Sequence, residues 1–242
     1  MNFLDYSDII DYPIYLHECN NPATNSVFRN TINAHHSYVK YVDSPTRNIR
    51  WLVYETDGGK LLGAIGLSSC VLALKCRDDY IGWDKDARLR NSNKVANNSR
   101  FCLIPGATDM KNVASMTLKL LRIEGKKRWL EKYGDPLVAI ETYVEAKDSD
   151  GIYRNGVCYR ADNWQYMGET SGTSISKSPL LLWKKEDSKR GRLARQNPEA
   201  ALEKYGAYLG ENRKGAYAVK QSSKKMVFLK NLTKNWRDEL TC

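Results

Sequence analysis

The sequence predicts a mixed α/β protein in which one sheet is flanked by helices. Two apolar segments, Ile49–Glu55 and Leu61–Ser68, are joined by an Asp-Gly-Gly turn at 57–59, and glycine supplies the positive backbone angles that a tight hairpin needs. Between residues 99 and 145 a strand, a loop, a long helix and a second strand follow one another. That order is typical of a crossover unit, which places its two strands side by side and parallel.

The first third of the chain contains the least regular segments. Pro13 and Pro22 interrupt residues 1–28, so this stretch predicts an irregular or briefly helical segment. After the hairpin, residues 70–83 predict a short mixed segment beside the sheet, and residues 84–94 predict a charged loop.

The remaining elements follow in order. Ser99–Ile104 predicts a strand that Pro105 and Gly106 end, and apolar residues at helical spacing predict a helix that stops at Gly134. Five further segments complete the prediction, namely a strand at 136–145, a short helix and strand at 155–172, a strand at 178–183, a helix at 196–206 capped by Asn197, and a last strand at 225–232. We expect an N-terminal segment, residues 1–30, and one domain, residues 31–242, that includes a basic C-terminal part.

The charge of the chain predicts a polyanionic partner. The 242 residues carry 38 Lys and Arg against 28 Asp and Glu, a formal net charge of +10, with basic stretches at 184–195 and 220–234. Clustered cations create a positive field that attracts nucleic acid, although a charged face that only keeps a protein in solution has the same composition. The candidate nucleic-acid contacts in the first stretch are Lys189, Arg190, Arg192 and Arg195.

Several classes of protein are excluded by composition. No apolar run reaches membrane-spanning length, and the acidic start, residues 1–11, does not have the pattern of a secretory signal. The six cysteines stand singly with no CxxC pair, which predicts a reduced, cytoplasmic protein without a zinc ribbon.

Seven sequence blocks carry a family resemblance that runs from about Ala34 to Leu232. The blocks are AHHSY (34–38), LLGAIGLSS (61–69), IGW (81–83), ANNSRFCLIPG (96–106), NVAS (112–115), ETYVE (141–145) and GVCYRADNWQYMGETSG (156–172). In this order and spacing they resemble the DruA component of Druantia anti-phage systems and related transposon-associated proteins. The order of elements is also similar to the fold of the GCN5-related N-acetyltransferases, and more distantly to the phage Mom proteins, which modify adenine in DNA.

The resemblance implies an acetyltransferase-like enzyme that modifies the exocyclic amine of a DNA base, adenine being favoured, with double-stranded DNA as partner and an acyl-CoA or related donor. It implies cofactor contacts at Asn112, Ser115 and Asn163. The chain departs from the acetyltransferase pattern in the loop before the long helix, PGATDMKNVAS, which holds one glycine and lacks the Arg/Gln-x-x-Gly-x-Gly/Ala signature. Two alternatives stay open, a non-catalytic DNA-binding component that keeps the fold and an acyltransferase for a small molecule.

His35 and His36 are two of only three histidines in the chain. A histidine in this block is a candidate general base for an amine, a metal ligand, or a structural group that satisfies a buried partner. Neighbouring residues of a strand point to opposite faces, so one of the two would enter a site. The sequence offers no complete metal-ligand set around them, and Tyr38 is a further candidate contact to nucleic acid.

Asn97, Asn98, Ser99 and Arg100 precede an apolar strand, where we expect them at the polar mouth of a central strand. Open α/β sheets bind ligands at such a crevice. Asparagine can pair with adenine, serine offers a hydroxyl, and arginine grips phosphate. Turn formation by the asparagines is the structural alternative.

Glu141 follows an apolar run on the neighbouring strand, where a carboxylate must be paired or used. It either pairs with Arg100 or accepts a proton from the substrate amine. By position in the acetyltransferase architecture, the resemblance implies that Tyr159 is the general acid for a leaving thiolate. Arg160 in the same block is a candidate contact to the substrate.

Overall fold

The protein is described here by a computed structural model. The structure describes residues 12–36, 41–43, 46–145, 155–176, 207–212, 215–221 and 223–242. The strand predicted at 178–183 and the helix predicted at 196–206 lie outside these residues.

Ten strands and six α-helices are found in the described part of the chain. The strands are β1 (Ile14–Glu18), β2 (Asn48–Glu55), β3 (Leu61–Ser69), β4 (Val95–Leu103), β5 (Ala139–Glu145), β6 (Gln165–Glu169), β7 (Thr173–Ser176), β8 (Ala207–Asn212), β9 (Gly215–Gln221) and β10 (Lys225–Asn231). The helices are α1 (Pro22–His35), α2 (Lys75–Ile81), α3 (Lys85–Asn91), α4 (Val113–Tyr133), α5 (Val157–Ala161) and α6 (Trp236–Thr241).

Seven of the strands form one sheet in the order β1-β2-β3-β4-β5-β10-β6. Strands β1 to β4 pair antiparallel, and β4 pairs parallel with β5 across the crossover helix α4. The predicted hairpin, crossover unit and last strand are therefore confirmed. So are the mixed α/β class and the predicted order of hairpin, strand, long helix, strand, short helix and strand.

Helices cover both faces of this sheet because its central strands are apolar on both sides. On β2, Leu52 lies in one buried cluster with Phe28 and Ile32 of α1. Its neighbour Trp51 lies in another with Trp129 of α4. The period of two along a strand thus sends alternate side chains to α1 and to α4.

An irregular or briefly helical segment was predicted for residues 1–28, but from residue 12 onward, where the structure describes the chain, a strand and a longer helix form instead. Strand β1 pairs with β2 along its whole length, and α1 runs for 14 residues through residue 30. Asn21 caps this helix by accepting a hydrogen bond from the Thr24 backbone N–H at 2.9 Å. Pro22 stands in its first turn, where the missing N–H is not needed, so the proline starts the helix instead of breaking it.

The charged loop predicted at 84–94 is also wrong, because this stretch forms α3 and a 3-10 turn, Ser92–Lys94. Asp84 caps α3 through the Ala87 N–H at 2.7 Å. The Asn91 amide then donates to the backbone oxygen of Leu240 at 2.8 Å, which fastens α3 to α6.

The chain divides into two compact units. One comprises Met1–Gly168 and Met226–Cys242 and contains the hairpin, the crossover unit and helices α1 to α6. The other, Glu169–Lys225, contains a three-stranded antiparallel sheet in the order β7-β9-β8. Among the described residues, no helix combines the length and apolar character that crossing a membrane requires.

Gly63 of β3 lies where the backbone of β4 leaves no room for a side chain. A Cβ atom at this position would lie 2.2 Å from the backbone oxygen of Cys102, whereas a Cβ at Gly66 on the same strand would meet nothing closer than 3.4 Å. We expect Gly63→Ala to lower the free energy of unfolding by about 1–3 kcal/mol, because backbone must shift to make room. Urea denaturation would measure the change, with Gly66→Ala as the matched control. Equal stability of the two variants would contradict this packing.

Candidate functional site

A fork between β4 and β5 creates the site. The two strands pair only from Val95 to Asn97, against Ala139 to Glu141. Beyond these pairs no further parallel register joins them, and the strands separate toward their carboxyl ends. Such a separation beside a crossover helix is where open α/β sheets place ligands.

A bulge in β4 lies at the opening of the fork. Leu67 of β3 pairs with Asn98 and its neighbour Gly66 pairs with Arg100, so Ser99 is the extra residue. The bulge reverses the side-chain alternation. Ala96 before it and Phe101 after it therefore both face the α4 side of the sheet.

The amide of Asn98 satisfies the groups around this bulge. Its Nδ2 donates to the backbone oxygens of Gly66 and Arg100, each at 3.1 Å. Its Oδ1 accepts from the Tyr159 hydroxyl at 2.9 Å. The Thr142 hydroxyl donates to the Asn98 backbone oxygen at 3.2 Å and so links β5 to β4 inside the fork.

A cavity of about 650 Å³ occupies the fork. Its walls combine apolar and polar groups, as small-molecule and base-binding sites do. Its polar side chains are His35, His36, Asn98, Ser99, Asn112, Ser115, Thr142, Tyr143, Asn155 and Tyr159.

Both predicted histidines line this cavity, but the strand predicted for them is wrong. His35 is the last residue of α1 and His36 is its C-cap, with the His36 N–H donating to the Ile32 oxygen at 2.9 Å. Because they stand at a helix end, the alternation of a strand does not separate their side chains. His35 is exposed and His36 is half-buried.

Asn112 and Ser115 also lie in the cavity wall, at the start of α4. Asn112 takes a left-handed backbone conformation with φ of 62° and gives the helix no side-chain cap. The first N–H groups of this long helix are thus left without a capping side chain beside the cavity, an arrangement that suits an anionic group.

The block from Asn97 to Arg100 does not form the mouth of a strand as predicted, because β4 already begins at Val95. Asn98 is only 4% exposed, and its amide is fully used inside the protein, so it is not free to pair with adenine. Ser99 lines the cavity, whereas Asn97 does not. Arg100 faces a second, smaller cavity.

Glu141 is wholly buried and does not pair with Arg100, which corrects one of the two predicted roles. Its carboxylate pairs with Arg77 of α2 at 2.8 Å and accepts from the Val71 N–H at 3.0 Å and the Tyr143 hydroxyl at 2.5 Å. Burial, and then the negative charge of Glu141, raise the pKa of Tyr143. Both carboxylate oxygens are occupied, so the geometry makes Glu141 a structural group away from the cavity wall.

Other predicted contacts lie elsewhere. Asn163 and Arg160 are exposed and are not part of the cavity wall. The Arg160 guanidinium lies over the rings of Tyr166 and Phe228, at 5.5 and 5.2 Å from their centroids. The remaining predicted contacts lie outside the described residues, namely Tyr38, Lys189, Arg190, Arg192 and Arg195.

The described residues contain no group of three or more His, Cys, Asp or Glu placed to hold a metal ion. All six cysteines are free thiols. Burial raises the pKa of Cys70 to about 12, so this thiol stays protonated near neutral pH and is a weak nucleophile and ligand.

Three polar residues of the cavity wall were not predicted from the sequence, namely Thr142, Tyr143 and Asn155. Thr142 follows Glu141 on a predicted strand, so the alternation of the strand puts it on the opposite face and offered a signal. Arg77, the partner of Glu141 behind the wall, was missed as well, because 64 residues separate the two in the chain and no local pattern indicates the pair.

Comparison with known proteins gives three findings. The family model described as Druantia protein DruA matches residues 11–181. The curated Druantia protein DruA of Escherichia coli (strain UMEA 4076-1) is 45% identical over 42 residues, which are 17% of this chain and 10% of that protein. The chain thus matches about a tenth of this relative's length.

Among solved structures, that of a proposed acetyltransferase from Sphaerobacter thermophilus DSM 20745 is similar with a TM-score of 0.39 and 8% identity, over 90% of this chain and 93% of that one. A similarity of this size says nothing about activity.

We expect the Asn98 and Tyr159 side chains to be energetically coupled, since they share one buried hydrogen bond. Asn98→Ala should lower the free energy of unfolding by about 1–3 kcal/mol, because two backbone oxygens lose their donor. A double-mutant cycle with Tyr159→Phe should give a coupling energy of about 0.5–1.5 kcal/mol by urea denaturation. Additive losses would show that the bond does not hold the two residues together.

Arg77→Met should lower the free energy of unfolding by more than Asn98→Ala does, because it leaves the Glu141 carboxylate buried without its counter-charge. Loss of one partner of a buried pair costs about 3–5 kcal/mol. Lys75→Met on the same helix is the matched control, since its ion pair with Asp79 is solvent-exposed and should leave the urea midpoint nearly unchanged. A midpoint for Arg77→Met close to that of the control would contradict the structural role of Glu141.

Proposed function

The chain belongs to the family of the Druantia protein DruA, and on this premise we propose that it is an acyltransferase-like enzyme that modifies a DNA base in anti-phage defence. The observation that carries the proposal is the cavity in the β4–β5 fork, where the paired histidines of α1 meet the uncapped start of α4.

The cavity suits a planar heterocycle turned out of a nucleic-acid strand. Its volume of about 650 Å³ lies within the range of ligand sites. Its wall offers hydroxyl donors and acceptors at Ser99 and Ser115, and amide groups at Asn112 and Asn155. Enzymes that act on a base must extrude it and read its polar edge in such a pocket.

His36 is the proposed general base. When the exocyclic amine attacks, the amine nitrogen forms a bond to the acyl carbon and loses one proton, which the imidazole takes up. An acyl thioester, when bound, would supply the acyl group: its carbon–sulfur bond would break, and the leaving thiolate would take up a proton to become a thiol. The start of α4, with Asn112 and Ser115, would hold the anionic part of such a donor through the helix N–H groups.

Tyr159 forms part of the cavity wall with its hydroxyl directed to Asn98. Donation of its proton to a leaving thiolate would break this hydrogen bond. The role of general acid stays a prediction, and Tyr159→Phe tests it.

Double-stranded DNA is the proposed partner, and adenine is the proposed base. The formal net charge of +10 supports binding to a polyanion. Six free thiols support a reducing compartment such as the cytoplasm.

A second candidate function is a DNA-binding component without catalysis. One observation favours it, because three predicted catalytic or reading groups are held in internal bonds. Glu141 pairs with Arg77, and Asn98 and Tyr159 bind each other. The loop before α4 also lacks the acetyltransferase signature.

Mass spectrometry of nucleosides separates the two functions. DNA is digested from cells that express the intact protein, and from cells that express His36→Ala or Tyr159→Phe. His17→Ala is the matched control, because His17 is the third histidine, lies exposed on β1 and is not part of the cavity wall. We expect a new adduct with the intact protein and with His17→Ala, and a loss of at least about tenfold with His36→Ala.

The mass of the adduct would identify the transferred group and the base. An adduct that is undiminished in His36→Ala would remove this histidine from the mechanism. No adduct in any sample, combined with salt-dependent DNA binding by the purified protein, would support the binding component instead.

A further inference from the structure

A second cavity of about 230 Å³ lies on the opposite side of the bulge from Tyr159. Phe28 of α1 and Tyr41 form its apolar part, and Arg50, Ser68, Ser99 and Arg100 form its polar part. Ser99, the extra residue of the bulge, lines both this smaller cavity and the larger one.

Arg100 is the notable group in the smaller cavity. Its Nη1 donates to the Ser99 backbone oxygen at 2.6 Å, whereas its Nε is buried and has no hydrogen-bond partner among the described residues. Within the same residues Arg100 takes part in no ion pair, as the described pairs involve other arginines. A guanidinium offers five N–H donors in a planar fork. The Nε–H is enclosed and Ser99 uses one Nη1–H, so the remaining Nη donors are the ones that Arg100 can offer a ligand in this cavity.

The surroundings add positive charge. Arg50 also lines the cavity, but its Nη1 donates to Asn25 at 2.9 Å and its Nη2 pairs with Asp43 at 3.0 Å. Asp43 pairs with Arg29 as well, at 3.1 Å. The Asp43 carboxylate therefore pairs with two guanidinium groups, those of Arg29 and Arg50. Arg100 adds a further positive charge at the cavity wall, and this excess favours an anion.

We propose that the smaller cavity is a phosphate subsite in which Arg100 binds the phosphate of a nucleotide. The proposal rests on the proposed function in one respect, namely that the base of the same nucleotide occupies the larger cavity. Ser99 lies between the two, so a base and its own phosphate can be held on either side of one residue. A planar guanidinium fork binds phosphate oxygens in pairs, which fixes the orientation of the nucleotide.

Binding measurements at low ionic strength test this subsite without any chemistry. The probes are dAMP, deoxyadenosine and a short single-stranded oligonucleotide, measured by calorimetry with the intact chain, Arg100→Gln and Arg90→Gln. Arg90 is the matched control because it is exposed on α3 and lines neither cavity. We expect Arg100→Gln to lower the affinity for dAMP by about tenfold or more and to leave the affinity for deoxyadenosine unchanged. Arg90→Gln should bind all three probes as the intact chain does.

Two outcomes would support the proposal, and they differ in the kind of phosphate that the subsite accepts. If Arg100→Gln binds both dAMP and the oligonucleotide more weakly, the subsite accepts a free nucleotide as well as a strand. If it binds only the oligonucleotide more weakly, the subsite accepts a phosphodiester. Equal affinity of Arg100→Gln and the intact chain for both phosphate probes overturns the proposal, as does no measurable binding of either probe to the intact chain. An absent DNA adduct would overturn the enzyme alone, because the calorimetry requires no modification.

Discussion

The hydrogen bonds of one buried amide hold the geometry on which the site depends. Asn98 donates to the backbone oxygens of Gly66 and Arg100 and accepts from Tyr159. Without these bonds the bulge would leave buried backbone oxygens without donors, which protein interiors avoid. With them, β4 can carry an extra residue at the point where it leaves β5. The extra residue is Ser99, and it lies where the β4–β5 pairing ends and the cavity of the fork begins.

A buried ion pair supports the fork from the other face. Arg77 of α2 forms an ion pair with Glu141 on β5. It also pairs with Asp78 and donates a hydrogen bond to the Val71 backbone oxygen. Asn98 and Glu141 are therefore both polar and both buried, but for structural reasons. In this protein the groups that the substrate would meet are instead partly exposed ones at a helix end and at the bulge of β4, such as His36 and Ser99.

The sequence was sufficient to predict what depends on local patterns. The hairpin, α4 and the last strand were found because their turn residues and apolar spacing are local. Sequence reasoning failed where a helix begins at a capping residue, as at Pro22 and Asp84. A proline can either begin or break a helix, and a charged stretch can form either an exposed helix or a loop. Sequence reasoning also failed for Glu141, whose partner Arg77 is distant in the chain and meets it only in the folded sheet. The predicted roles of the histidines and Tyr159 in catalysis stay predictions.

The extra residue in β4 determines what a substitution and a deletion at position 99 would each do to the protein. Replacement of Ser99 by another small residue leaves the bulge in place. Loss of a single codon at this point would restore an unbroken ladder in which Arg100, Phe101 and Cys102 keep their partners on β3, and so keep their faces. Such a deletion would remove the one residue that lines both cavities, so its cost would fall on the cavities, while the pairing of the sheet would stay as it is.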